Sequence, residues 1–329
     1  MIANSLQRTF SVFNRSTRRW VPILSQYTKT QVTQRPSFPL PGTNRLSKQQ
    51  HLSLVSWNID AFSSRPITRA NRILGRILAG PSPPDIISLQ EVTRGARAAL
   101  LNDIRVRAAF LVTDAEDETA FEDVPFATMM LLSRTRFASG VELHKEGGDG
   151  INGGSEHLGI GRVSRAALPS KYGRDALCVD VIPATAPGTI FRLINVHLDS
   201  LADALPYRAQ QLEILANVLR EPGCGGGIIM GDFNAISRED DELVDRNRLV
   251  DAWVILHGSA GPGGATWGVG VERQDGLGLG RLDKVVTVGV KAEEMEVLRP
   301  GLVEVPGPGE KSLMIPWSDH CGLRYTFVV

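Results

Sequence analysis

Acidic residues are absent from the first 51 positions, which carry Arg8, Arg15, Arg18, Arg19, Lys29, Arg35, Arg45 and Lys48. Over all 329 residues Lys plus Arg and Asp plus Glu are 36 each, so the formal charge is zero and the remainder is acidic. A neutral total excludes a chain that coats nucleic acid by charge alone, and an acidic body suits a cation site. Cysteine is scarce. Cys178, Cys224 and Cys321 are spaced neither as a metal knuckle nor as a disulfide framework. Cys178 falls in an apolar strand as a small core residue, and the three together point to a reducing compartment. No apolar run approaches the roughly 20 residues of a membrane span, which excludes spanning helices. No fixed-period repeat is present. The 42% hydrophobic content is enough for a full core.

The acid-free N-terminus is rich in Ser, Thr and Gln, with Leu6, Phe10, Val12, Phe13, Trp20, Ile23 and Leu24 interspersed. This composition reads as a targeting segment or a disordered basic arm over residues 1–48, leaving nucleus and mitochondrion both open. The ordered fold is expected as one catalytic domain over 49–329, after a turn-rich stretch from Pro36 to Asn44.

Leu52–Trp57 alternates as a strand. Pro66 opens a helix with Ala70, Ile73, Leu74, Ile77 and Leu78 on one face, closed by Gly80 and three prolines. Asp85–Leu89 is a short buried strand, and Ala96, Leu100 and Ile104 mark a second helix. Strands are expected at 127–132, 176–182, 189–196, 228–230, 282–288, 295–298 and 324–329. Helices are expected at 206–220 and 249–256, and a glycine-rich loop at 258–280. Strands with helices between some of them predict an α/β layered sandwich.

Five polar clusters sit at the ends of these apolar runs: 57–60, 90–91, 195–199, 231–234 and 318–320. Glu91 emerges from a buried strand, where a carboxylate can hold a hard cation such as Mg²⁺, with Asp60 as a second ligand. Alone, Glu91 reads first as a helix-start residue, favoured by the helix dipole. Asp232 leaves the run Ile228–Met230, where it can take a proton from water, while Asn234 can donate to a phosphoryl oxygen. Gly231-Asp232-Phe233-Asn234 also has the composition of a turn. His197, Asp319 and His320 could each merely end a strand, and Arg281-Leu282-Asp283 could be a surface ion pair. Their joint occurrence at strand ends is what favours chemistry.

That joint set resembles the endonuclease/exonuclease/phosphatase superfamily from Leu52 to Val329. The matching motifs are Trp57-Asn58, Gln90-Glu91, His197, Gly231-Asp232-Phe233-Asn234, Arg281-Leu282-Asp283 and Ser318-Asp319-His320. Within it, Trp57-Asn58-Ile59-Asp60, His197-Leu198-Asp199-Ser200, Asp251-Ala252-Trp253, Thr266-Trp267 and 318–323 are similar to the 5′-tyrosyl-DNA phosphodiesterases. The segment from Pro169-Ser170 to Leu177-Cys178-Val179 is similar to the part of that family beside the DNA 5′ end, which assigns Arg174 to substrate. Ala61 and Phe62 stand where the family continues with Gly and Leu, and Phe233 replaces a Thr.

The resemblance implies a four-layer α/β sandwich of two packed mixed sheets flanked by helices. It also implies Mg²⁺-dependent phosphoester cleavage, with Mn²⁺ as a substitute. Glu91 with Asp60 would hold the metal and Asp232 would be the base. Asn58, Asn234 and His197 would contact phosphoryl oxygens. His320, oriented through Asp319, would stabilise developing charge, and Asp283 would support a catalytic histidine. Trp267 would stack on a nucleobase or pack in the core. The activity implied is hydrolysis at DNA ends, on 5′-phosphotyrosyl adducts and in DNA repair, by a monomer acting away from membranes. The alternative is another superfamily hydrolase, a nuclease or a small-molecule phosphatase.

Overall fold

The computed structural model describes residues 5–23, 50–80, 82–138, 157–183, 188–258, 261–270, 278–307 and 311–329. Most of the basic segment (24–48, including Pro36–Asn44), Pro81 and parts of the glycine-rich loop lie outside the described residues.

Among the described residues, two eight-stranded sheets and a hairpin account for the strands. The first sheet runs β1 (Ser5–Arg8), β9 (Leu158–Ala167), β10 (Asp175–Ile182), β11 (Ile190–His197), β12 (Cys224–Asp232), β14 (Asp283–Val288) and β13 (Val250–Asp251), with β8 (Phe137–Ala138) beside β9. The second runs β15 (Lys291–Leu298), β18 (Gly322–Val328), β4 (His51–Asn58), β5 (Ile86–Val92), β7 (Ala127–Ser133), β6 (Phe110–Thr113), β2 (Phe10–Asn14) and β3 (Arg19–Pro22). Strands β16 (Leu302–Pro306) and β17 (Ser312–Pro316) form the hairpin.

Alternation along each strand builds the layers. Leu54, Ile86, Leu177, Leu193, Ile228 and Tyr325 meet between the sheets. Val55, Trp57, Ile87 and Leu89 face the other way, against α1 (Pro66–Ile77) and α2 (Arg94–Asn102). On the far side Ile194, Val196 and Ile229 pack on α4 (Leu205–Val218) and α5 (Arg238–Arg246). The result is the expected helix–sheet–sheet–helix sandwich. No helix among the described residues is long and apolar enough to cross a membrane.

In each sheet, one parallel pair among the described residues is joined through a helix and ends at the site. Strand β4 leads through α1 to β5, and β11 leads through α4 to β12. Parallel strands end on the same edge, so Asn58 and Glu91 emerge together, as do His197 and Asp232. The antiparallel neighbours begin where these end: Asp283 of β14 is paired with Asp232, and β18 starts beside β4.

Of the N-terminal segment expected to be a targeting sequence or a disordered arm, residues 5–23 are described, and they are folded into both sheets. Strand β1 pairs with β9, and β2 pairs with both β6 and β3. Phe10 enters the inter-sheet core and Trp20 the outer one, and burying Phe10 contributes about 2 kcal/mol. Segment composition averaged over 50 residues conceals this short alternation. The missing acids are supplied from elsewhere, since Arg8 pairs with Asp117 at 2.7 Å.

Smaller differences have local causes. The helix expected through Ala96, Leu100 and Ile104 breaks into α2 and α3 (Ile104–Ala109), because the Asp103 carboxylate accepts from the backbone N–H groups of Arg105 and Val106 and starts a new helix. Likewise Asp251 caps α6 (Ala252–His257), so the element expected at 249–256 begins with the short strand β13. Cys178 is buried, as its strand position predicts.

Candidate active site

The polar ends of β4, β5, β11 and β12 converge across the two sheets. Asn58 Nδ2 donates to Glu91 Oε1 at 3.1 Å within its own sheet, and to Asp232 Oδ2 at 3.0 Å on the other. His197 Nε2 lies 3.4 Å from Asp232 Oδ2 and 3.9 Å from Glu91 Oε1. Beneath them, Gln90 Nε2 donates to Asn195 Oδ1 at 2.8 Å, a buried bridge between the sheets.

Local backbone turns aim these groups. Asp60, Glu91 and Asn234 have φ values of 54°, 55° and 49°, a left-handed conformation that is costly for residues other than glycine. Strand β5 has a register shift between Leu89 and Val92, so Glu91 swings out of the ladder. Gly231 before Asp232 has φ 136°, and a Cβ there would lie 2.0 Å from the Val196 carbonyl. Only glycine admits that approach.

His320 Nδ1 is 2.8 Å from Asp283 Oδ2, and its Nε2 is 3.7 Å from Asp232 Oδ2. Asp283 thus holds the Nδ1 side of the His320 ring. Asp319 does not orient His320. Its carboxylate accepts from Trp267 Nε1 at 3.1 Å, and its nearest oxygen is 4.0 Å from His320 Nε2. Trp267 is half-buried beside it. Trp57 Nε1 donates to the His320 carbonyl at 3.0 Å, and Ser318 Oγ donates to the Asn58 carbonyl at 2.7 Å, tying the last motif to the first.

Asp60 departs from the metal role expected of it. Its Oδ1 accepts from the N–H groups of Phe62 and Ser63, and Oδ2 sits 3.2 Å from Arg69 Nη1. Arg69 is fully buried and also donates to the carbonyls of Ile59, Asp60, Ser63, Ser64 and Trp317. An acid already satisfied by a buried guanidinium and two amides shapes the loop. The Asp60 N–H donates to Asn58 Oδ1, and the Ala61 N–H donates to Glu91 Oε2, so this loop aims the other two groups. Arg69 is one of three arginines in α1, and nothing in the sequence singles it out for that role.

Asn234 is partly committed as well. Its backbone N–H donates to Asp232 Oδ1 at 2.8 Å, and its side chain donates to the Leu198 carbonyl at 2.9 Å. Arg174 Nη2 lies 3.3 Å from His197 Nε2, and its guanidinium covers Phe126 at 5.1 Å. Phe126, which the sequence does not single out, stacks on His197 at 5.4 Å. Phe62, Phe126, Tyr172, Arg174, His197 and Ser200 line a cavity of about 350 Å³ beside the acids.

Electrostatics divide the roles. Burial pushes Asp232 up to about 7, with the His320 cation opposing the rise. Burial alone would lower His320, but Asp283 and Asp232 outweigh it and hold the imidazole well above its ordinary value. Burial, with Arg174 and His320, drives His197 well below its ordinary value. One histidine is therefore cationic and the other neutral. Burial also raises Glu91, against the donors Ala61 and Asn58.

Metal-binding capacity follows from the donor atoms. Glu91, His197 and Asp232 place one ligand atom each within 4.8 Å of one another, as do Asp232, Asp283 and His320. Asp60 belongs to neither group. A single outward carboxylate at Glu91 fits a hard divalent cation that keeps most of its waters.

The family model described as Endonuclease/Exonuclease/phosphatase family matches residues 55–320. No curated protein matches the chain. Among solved structures, TDP2 from D. rerio complexed with single strand DNA product is 20% identical, with a TM-score of 0.59 over 84% of this chain and 99% of that one. TDP2 from C. elegans is also 20% identical, with a TM-score of 0.59 over 85% and 75%. The human Nocturnin catalytic domain with bound sulfate anion is 17% identical, with a TM-score of 0.54 over 88% and 99%. At these identities the structures establish the shared fold. The extent of the family match, with Asn58, Glu91, Asp232 and His320 gathered at one sheet edge, places this chain in the Endonuclease/Exonuclease/phosphatase family of metal-dependent phosphoester hydrolases.

Proposed function

We propose that this protein is a Mg²⁺-dependent phosphodiesterase that hydrolyses 5′-phosphotyrosyl bonds at DNA ends. The observation that carries the reading is the arrangement around Asp232: a buried base within 3.7 Å of a cationic His320, beside a cavity walled by aromatic rings and Arg174. The likeness to a TDP2 solved with single strand DNA product supports DNA as the substrate.

Asp232 Oδ2 accepts the proton of the attacking water, and Asn58 Nδ2 and the Asn234 N–H fix the carboxylate's direction. An in-line displacement at phosphorus then breaks the bond to the leaving oxygen. Mg²⁺ at Glu91 would neutralise the phosphate and stabilise the leaving oxygen. His320, kept protonated by Asp283, donates to a non-bridging oxygen as charge develops there. Neutral His197 and the second N–H of Asn234 contact other phosphoryl oxygens. Arg174 adds positive charge on the cavity side. A phenol has a pKa near 10, so a tyrosyl leaving group departs with little protonation, consistent with a site built around a base and one metal.

A substrate panel with Mg²⁺ tests this: a 5′-phosphotyrosyl oligonucleotide, an abasic duplex, a plain single strand and an inositol phosphate. Preferred cleavage of the tyrosyl adduct is expected, and preference for any other member would replace the assignment.

A further inference from the structure

Strand β1 lies at the edge of the first sheet, and its last residue bonds to the segment that leads into the wall of the cavity beside His197. Arg8 Nη1 donates to Asp117 Oδ2 at 2.7 Å, and Nη2 donates to Thr119 Oγ1 at 2.8 Å. Its Nε is 3.8 Å from Asp114 Oδ1, and the Arg8 side chain is 9% exposed. Asp114 is fully buried, and Arg165 Nη2 donates to its Oδ2 at 2.9 Å. Arg165 Nη1 in turn donates to Thr128 Oγ1 at 3.0 Å and to Asp175 at 3.1 Å.

Both ends of this relay touch the cavity. Ala120, Val124 and Pro125 line it directly after the segment that Arg8 holds, and Thr128 and Asp175 line it at the Arg165 end. On its other side the same segment is held by Arg97, which donates to the carbonyls of Asp114 and Ala115 and to Glu118 Oε1. Residues 114–121 contain only one short helical turn, Thr119–Phe121, and no strand. A segment so short of backbone ladder is fixed by its side-chain anchors, and losing one lets it move at low cost.

We propose that Arg8 is a positioning residue for the substrate cavity, through which the N-terminal strand holds the 114–128 wall beside His197 in its binding-competent place. The N-terminal strands, part of the segment expected to be a targeting sequence or a basic arm, are thus coupled to the active site, and removing them would loosen the wall as well as two sheet edges. The kinetic part of this inference rests on the substrate assigned above, whereas the structural part does not.

The test uses the full chain, with Arg8→Ala, Arg8→Lys and, as a control in the exposed β2–β3 turn, Arg15→Ala. Amide hydrogen exchange is followed across the protein with Mg²⁺ present, and steady-state cleavage is followed with a 5′-phosphotyrosyl oligonucleotide. Arg8→Ala is expected to speed exchange within 114–128 while β11 and β12 stay protected. It should raise KM roughly three- to tenfold with kcat unchanged, about the scale of one charge-assisted hydrogen bond only partly transmitted. Arg8→Lys should recover part of both effects, and Arg15→Ala should show neither. Parent-like exchange in 114–128, protection lost evenly throughout the fold, or a fall in kcat at constant KM would each overturn the proposal. If the parent does not cleave the oligonucleotide, the substrate assignment fails and the exchange pattern alone decides the role of Arg8.

Discussion

Asp283 Oδ2 and His320 Nδ1 lie 2.8 Å apart in the buried floor of the site, although 37 residues separate them in the chain. The pairing fixes the ring, leaves Nε2 facing Asp232, and keeps the imidazole charged where burial would otherwise strip its proton.

Replacing Asp283 by Asn therefore has a signed consequence. Without the carboxylate the His320 pKa falls, and kcat should drop about a hundred- to a thousandfold as the cation is lost. Long-range ¹⁵N–¹H NMR of the imidazole reads the shift directly. Because the folded pKa is raised, His320 contributes stability that is complete below about pH 6.5 and is lost only as pH climbs through the folded value. In Asp283→Asn that contribution should shrink. An unchanged His320 titration would contradict this account.

Glu91→Gln should keep the fold and lose most activity, since the amide retains the shape but not the charge that binds Mg²⁺. Calorimetric titration with Mn²⁺ should show binding weakened at least about tenfold, with an unfolding temperature close to the parent's. Loss of folding, or parental activity that survives chelation of divalent ions, would make Glu91 a structural residue.

Asp60→Ala should behave in the opposite way. The Arg69 pair is buried, and losing the acid should destabilise the protein by about 3 kcal/mol, the low end for such a pair because Arg69 keeps its carbonyl partners. Metal affinity per folded molecule should stay near parental. A large fall in that affinity, with stability intact, would return Asp60 to the metal shell.

Asp232→Asn and His320→Ala should each lower kcat by orders of magnitude with little change in KM, because both groups act mainly in the transition state. Their side chains are 3.7 Å apart and shift each other's protonation, so the double variant should be scarcely slower than the worse single one. Fully multiplicative losses would mean that the two act independently.

Much of this molecule was legible from its residues in order. The alternation of Leu52–Trp57, the helix face Ala70–Ile77 and the runs before Glu91, His197 and Asp232 are short-range patterns, set by which side chains can be buried at a period of 2 or 3.6. They were enough to predict a layered α/β sandwich with polar clusters at its strand ends, while the roles expected of Asn58, Glu91, His197, Asp232, Asp283 and His320 came from the family resemblance. Partnership is another matter. Asp60 and Asp319 stand beside the right motifs, yet the fold gives Asp60 to Arg69 and Asp319 to Trp267, and gives His320 to Asp283. A carboxylate's role depends on which buried donor lies within about 3 Å, a distance set by sheet register and helix packing rather than by neighbours in sequence. The same limit hid strands β1 to β3. Their few apolar residues are too sparse to announce a strand, and only the waiting edges of β9 and β6 make pairing favourable.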